Sequence, residues 1–306
     1  SPQSSADRPV SFKKLFLQNQ WTVFYWSINN PGYRSTNVRF EWQDGGQSDF
    51  TEGAKENVNM TKPLTVKTFG TGPSRFIALH GWGGSHATFS PLIPHIPEST
   101  TLDAIDLPGF GTSKLPDFWK IDRIAEMVLE SIECEGEYTV VGNCSGGVIG
   151  AELALMRPKS VHRLIMIDPF AFAPWYFSLF LKGTFGRNAY RTTFASPIGR
   201  FFTNRALQSK RDKNSDLTAS FRHINHDVAY AFLKMMGDHE GPSRYAGLNL
   251  PIEIILGENT FGAVKKSAEI LKRIWPQARI RTISGAGHLP LEERPNDIAE
   301  SIFRYG

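Results

Sequence analysis

Three observations predict an α/β fold whose mostly parallel, twisted sheet is covered by helices on both faces. Short apolar runs recur along the chain, each bounded by turn residues. Stretches with helical spacing lie between them. The runs alternate with these helices and are not two-sided apolar/polar strands, so both faces of the sheet are buried. Phe76–Leu79 is the first such run and ends in His80-Gly-Trp-Gly-Gly84. Thr101–Ile105 ends in Asp106-Leu-Pro-Gly-Phe-Gly111, and Ile121–Ile132 has the spacing of a helix. Tyr138–Val141 runs into Gly142-Asn-Cys-Ser-Gly-Gly147, with a helix expected over Val148–Met156. Leu164–Ile167 ends at Asp168, and Ile252–Leu256 ends at Gly257. Ser267–Ile274 reads as a helix, and Arg279–Ile283 is a last strand before Gly285-Ala-Gly-His288. In such sheets ligands bind beyond the carboxyl ends of the strands, which is where these loops fall.

Upstream, residues 1–10 are polar and Pro/Ser-rich, the composition of a mobile end. Residues 12–28 are unusually aromatic and carry Lys13 and Lys14. Such a segment either packs on a core or lies at a membrane surface or over a substrate tunnel as a lid. Asn37–Trp42 and Leu64–Phe69 alternate as strands, with a turn at Asp44-Gly-Gly46.

Composition narrows the function classes. The 306 residues are 41% hydrophobic and 21% charged, a globular balance that excludes a disordered or fibrous chain. A net charge of +4 is too mild for a dedicated nucleic-acid binder. Two cysteines, Cys134 and Cys144, do not make a disulfide framework, which points to a reducing, cytoplasmic compartment. No apolar run is long enough to span a membrane. No Cys/His set has zinc-ligand spacing, so neither metal nor other cofactor is expected.

Residues 169–250 break the strand–helix rhythm. Eleven aromatics lie between Phe170 and Phe202. Residues 169–213 hold eight basic side chains and one acid, a local balance of +7 that leaves −3 for the rest. Aromatic density fits a long or flat apolar substrate, and equally the needs of a small helical core. The basic balance fits an acidic partner such as coenzyme A or an acidic acyl carrier protein, and equally a solvated face.

The strongest local signal is Gly142-x-Cys144-x-Gly146. A strand that turns sharply into a helix needs small residues two before and two after the turning residue. The turning side chain is then pushed out at the sheet edge, the geometry of the nucleophile elbow G-x-S-x-G. Here the turning residue is Cys144, and Ser145 is one residue off the frame. A thiolate is the reactive form of cysteine, favoured by a helix N-terminus and a nearby imidazole.

Four motifs in this order resemble the α/β-hydrolase superfamily: His80–Gly84, Asp106–Ser113, Gly142–Gly146 and Gly285–Pro295. The resemblance covers Leu64 to Gly306 outside the insertion. It implies Cys144 as nucleophile, His288 as general base and acid, and the backbone N–H groups of Trp82 and Ser145 as an oxyanion hole. Asp106 would shape a loop, and Ile121–Met127 and Glu292–Ile302 would be covering helices. Many members carry their acid at the position held here by Thr260. Two substitutes are available: Asp168, where some relatives place their acid, and Glu258. His80, Phe170, Trp175 and Tyr176 are candidate substrate-binding residues.

The implied organisation is an N-terminal aromatic segment over 1–35, a core from 36–168 and 251–306, and a helical cap inserted as 169–250. A cysteine in this frame is similar to that of dienelactone hydrolases and polyhydroxyalkanoate synthases. The implied activity is hydrolysis or acyl transfer on an apolar or aromatic acyl thioester, ester or lactone through an acyl-cysteine intermediate. Three alternatives share the fold: a serine-type esterase or thioesterase with Cys engineered at the nucleophile, a cyclase or lyase without covalent chemistry, and a non-catalytic ligand receptor.

Overall fold

A computed structural model describes residues 13–17, 20–24, 62–133 and 136–304. The chain divides into two compact units, 1–59 and 60–306. In the first, β1 (Lys13–Leu17) and β2 (Gln20–Phe24) pair as an antiparallel hairpin, an element the aromatic pattern alone did not reveal. The strand expected over 37–42, the turn at 44–46 and the mobility expected of 1–10 lie outside the described residues. So does any lid or packing role for the side chains of 12–28.

The second unit is built on a seven-stranded sheet. Its strands are β3 (Val66–Phe69), β4 (Ser74–Leu79), β5 (Thr100–Ile105), β6 (Tyr138–Asn143), β7 (Val161–Ile167), β8 (Ile252–Gly257) and β9 (Arg279–Ile283). Their order is β3-β5-β4-β6-β7-β8-β9, and only β3 runs antiparallel to its neighbour. Between the strands lie α1 (Ile121–Ser131) and α2 (Gly146–Met156). The segment joining β7 to β8 forms α3 (Trp175–Phe180), α4 (Gly183–Tyr190), a π-helical turn over Arg191–Ala195, α5 (Pro197–Ala206) and α6 (His226–Gly237). The chain closes with α7 (Gly262–Ile274), α8 (Pro290–Glu293) and α9 (Pro295–Phe303).

Strand periodicity sends alternate side chains into two cores. Val140, Leu164, Met166 and Ile254 face one core, which includes Ile124, Ile149 and Trp275. Val141, Ile165, Ile167 and Ile255 face the other, with Phe89, Leu92 and Ile302. Burying each such side chain contributes about 1.5–3 kcal/mol, which explains why the strand runs are apolar throughout.

Two helices differ from expectation. The last helix of the 252–283 region begins at Gly262 rather than Ser267. Its buried stripe of Val264, Ser267, Ala268 and Leu271 already starts one turn earlier. The helix expected over Glu292–Ile302 is two pieces, because Pro295 forces the preceding Arg294 out of helical geometry, to φ −142°.

One buried ion pair ties the far side of the sheet together. Arg163 on β7 reaches Glu253 on β8 at 2.7 Å and also donates to the carbonyls of Ile302 at 3.1 Å and Ser301 at 3.3 Å. Removing one partner leaves a buried charge alone, at a cost of roughly 3–5 kcal/mol. Arg163→Met is therefore expected to lower the unfolding free energy by about 3 kcal/mol. The double change Arg163→Met/Glu253→Met should recover most of it. Denaturant melts of the wild type, the two single variants Arg163→Met and Glu253→Met and the double variant check this, and additive losses would refute it.

Candidate active site

Parallel strands bring their carboxyl ends to one edge of the sheet. Cys144 and Asp168 sit one residue past the paired ends of adjacent strands β6 and β7, since Asn143 pairs with Ile167. The Cys144 amide donates to the Ile167 carbonyl at 2.8 Å, and the Asp168 amide to the Ile255 carbonyl at 2.8 Å. Both residues have left-handed backbones, with φ of 52° at Cys144 and 47° at Asp168. This conformation is uncommon for side-chain-bearing residues and collects at functional sites.

The glycine frame makes the turn at Cys144 possible. A Cβ on Gly142 would lie 2.4 Å from the Gly147 backbone, and one on Gly146 would lie 2.2 Å from the Leu79 carbonyl oxygen. Cys144 is half-buried. The Ser145 hydroxyl, by contrast, is turned into the protein and buried with no hydrogen-bond partner. Among the described residues, neither the Trp82 nor the Ser145 backbone N–H donates a turn or loop hydrogen bond.

His288 stands between the sulfur and the carboxylate. Its Nδ1 donates to Asp168 Oδ2 at 2.8 Å, and the Cys144 side chain lies close enough to raise its pKa. Burial pulls the His288 pKa down, but the Asp168 hydrogen bond and the influence of the nearby Asp168 and Cys144 outweigh it and raise the value to about 10. The ring is packed edge-on by Phe261, at 4.7 Å between centroids, and by Phe170, at 5.5 Å.

The fully buried Asp168 is held by two further donors. The Gly257 amide donates to Oδ1 at 2.8 Å, and the Thr260 hydroxyl donates to Oδ2. Thr260 thus clamps the Asp168 carboxylate that the neighbouring strand supplies. Glu258, the alternative acid, does not face the imidazole. It is exposed and accepts from the Gly285 amide at 2.7 Å and the Ser284 hydroxyl at 3.2 Å, which hold its carboxyl below the usual range. A residue directly after Gly257 points along the surface, away from the strand ends.

Two more expectations need correction. His80 is completely buried and is not a substrate contact. Its Nδ1 donates to the Gly81 carbonyl at 2.7 Å and its Nε2 accepts from the Leu107 amide at 2.9 Å. Burial lowers its pKa to about 4, so the neutral ring is a strut between two loops. Trp175 is 75% exposed on the outer side of α3, because the helix turns Tyr176 and Phe177 inward instead.

Cys144 and His288 open onto a cavity of about 1200 Å³. Its wall includes Phe170, Tyr176, Phe177, Phe194, Phe221 and Met236, so the lining is largely aromatic and aliphatic. Burial and the nearby Cys144 raise the Tyr176 pKa, so its phenol keeps its proton. Asp106 accepts from the His86 amide at 2.7 Å and shapes the adjoining loop.

Several contributors were not visible in the sequence. The Trp82 indole N–H donates to the Ala229 carbonyl on α6 at 2.7 Å, and its ring packs against Phe177, Phe194 and Phe221. The Lys210 carbonyl accepts from the His288 amide at 2.8 Å. Glu293 accepts from the Asp212 amide at 2.8 Å, the Ser215 hydroxyl at 2.7 Å and the Gly287 amide. The chain from Lys210 to Ser215 thus braces the histidine loop. The one available signal was a second carboxylate in the His288–Pro295 motif.

A raised histidine pKa stabilises the fold at low pH. The contribution is complete below the unfolded value of about 6.5 and is lost as pH climbs through the folded value. The melting temperature is expected to fall over that window, ending near the His288 value of about 10. In Asp168→Asn one raising partner is gone, and the fall should finish at lower pH. Thermal melts across the window test this; identical profiles for the two proteins would refute it.

Residues 75–295 match the family model described as alpha/beta hydrolase fold. A pimeloyl-[acyl-carrier protein] methyl ester esterase from Yersinia pseudotuberculosis is 26% identical over 255 residues, 80% of this chain and 97% of that protein. The structure resembles a thermophilic esterase from Thermogutta terrifontis, with a TM-score of 0.63 and 18% identity over 79% of this chain and 92% of the other. It also resembles the enol-lactonase from Burkholderia xenovorans, with a TM-score of 0.63 and 14% identity over 78% of this chain and 94% of the other. The matched family model runs from β4 through β9 and includes the turn at Cys144 and the loop of His288, and the chain belongs to the alpha/beta hydrolase fold family.

Proposed function

We propose that the protein is an ester-type hydrolase that cleaves an apolar acyl ester, thioester or lactone through an acyl-Cys144 intermediate. The observation that carries this reading is Cys144 beside the hydrogen-bonded His288–Asp168 pair at the edge of an apolar cavity.

The chemistry follows from the geometry. The Cys144 thiolate attacks the carbonyl carbon and forms a C–S bond, and the carbonyl electron pair moves to oxygen. The backbone N–H groups of Trp82 and Ser145 receive that oxyanion; a donor of this kind is worth roughly 3–4 kcal/mol. The tetrahedral adduct collapses, the bond to the leaving group breaks, and His288 gives its proton to the departing oxygen or sulfur. His288 is now neutral, and the thiolate charge that helped to raise its pKa is gone. It therefore takes a proton from water, whose oxygen attacks the thioester. The second adduct expels the Cys144 sulfur and releases the acid. Asp168 holds the ring orientation throughout without itself being protonated.

The cavity fits an apolar acyl group larger than a short-chain ester requires. The esterase relatives named for an acyl-carrier-protein substrate support delivery of that acyl group on a carrier. The Phe170 and Tyr176 side chains that line the cavity would border the acyl group. The helices over 169–250 serve in this reading as a cap that excludes water from the intermediate.

Intact-protein mass spectrometry after mixing with medium-chain acyl thioesters and aryl esters tests the nucleophile. An added acyl mass is expected on the wild type and on Ser145→Ala, and none on Cys144→Ala. Turnover by Cys144→Ala should fall by about 10³-fold or more. An acyl mass retained on Cys144→Ala and lost on Ser145→Ala would overturn the assignment. His288→Ala should lose turnover to a similar extent, because the leaving group and the attacking water both depend on it.

A further inference from the structure

Helix α5 is amphipathic in the wrong direction for a soluble surface. Ile198, Phe201, Phe202 and Arg205 recur at the spacing of one helix face. Ile198 is 70% exposed, Phe201 63% and Phe202 65%. The opposite face is polar and is the one turned to the protein. Arg200 donates to the carbonyls of Phe194 at 3.0 Å and Ala195 at 2.8 Å, and the Asn204 side-chain oxygen accepts from the Leu217 amide at 3.1 Å. Gly199 lies against the Thr192 carbonyl, too close for any Cβ. These contacts fix the roll of the helix, so the apolar face cannot turn inward.

The exposure continues beyond α5. Phe185 on α4 and Trp175 on α3 are each 75% exposed. The cations nearby in the chain are Lys182 and Arg205, both exposed, and Arg187 and Arg191, which share Asp227. No acid occurs from 169 to 211. On its inner side the same helix forms cavity wall, through Thr203 and, just after its end, Leu207. An apolar outer face and an apolar cavity are thus separated by the thickness of one helix.

We propose that the outward face of α5 docks on an anionic lipid surface, with Ile198, Phe201 and Phe202 in the acyl boundary and Arg205 at headgroup level. Aromatic and aliphatic side chains flanked by cations are the composition of an interfacial helix. The other occupants fit less well. An acidic carrier would be met by a row of cations, and this face offers only Arg205. A second copy meeting face to face would oppose the exposed Arg205 and Lys182 of two segments that carry no acid from 169 to 211. Docking by this face places the cavity wall at the boundary from which an apolar acyl group is drawn. The docking itself needs no acyl-cysteine chemistry, so it stands or falls separately from the proposed reaction.

Flotation of the full chain with phosphatidylcholine vesicles, with and without one third phosphatidylglycerol, tests the proposal. The wild type should float with the anionic vesicles and only weakly with the neutral ones. The triple variant Ile198→Ser/Phe201→Ser/Phe202→Ser should lose about tenfold in bound fraction, while its circular dichroism and its hydrolysis of a short water-soluble ester stay as in the wild type. Arg205→Glu should weaken flotation on anionic vesicles alone. Failure of the wild type to float would overturn the proposal. Undiminished flotation of the triple variant would assign membrane binding elsewhere in the chain and also overturn it. A wild-type dimer that the triple variant abolishes, or acyl carrier protein binding lost in that variant without any flotation, would give the face to those partners instead.

Discussion

The arrangement depends on one buried carboxylate. Asp168 carries its charge at the end of a central strand, completely out of water, and such a charge is tolerable only when its oxygens are fully engaged. The Gly257 amide, the Thr260 hydroxyl and His288 Nδ1 supply those partners. The first comes from the end of β8, the second from the loop after it, and the third from the loop after β9. The carboxylate therefore fixes three strand ends relative to one another. The imidazole's orientation, its charge and its reach to Cys144 follow from that anchor.

Much of this was legible in the sequence. The strand runs, the glycine frame around Cys144 and the loop of His288 are local patterns with local causes, so they can be read residue by residue. Asp168 could be nominated because it ends the strand next to the one that leads into Cys144. Choosing it over Glu258 required the direction in which each side chain leaves its strand, which is a property of register. His80 and Trp175 misled for the same reason. A histidine at a strand end and a tryptophan at a helix start look equally able to face a ligand. Burial of His80 is decided by the loops that close over it, and exposure of Trp175 by the face that α3 turns inward.

The insertion was recognisable by composition but not by structure. Eleven aromatics within 33 residues indicated an apolar interior. The structure divides them: Phe177, Phe180 and Phe194 turn to the cavity, while Phe185, Phe201 and Phe202 face solvent. Composition cannot make that division, because it depends on which face of each short helix is held by polar contacts. Trp82 joins the insertion to the sheet. The preceding Gly81 lies against Cys144, and the Trp82 indole is bonded and packed to the helices of the insertion.

The position of the acid has a mechanical side. Asp168 is followed directly by Pro169 and then by Phe170, whose ring packs against His288. The insertion thus departs from the very residue that steers the imidazole, and its return leg passes the His288 amide at Lys210. Pro169 and Phe170 couple the insertion to the His288 imidazole through one rigid linkage and one ring contact. A carboxylate placed after β8 would lack that coupling.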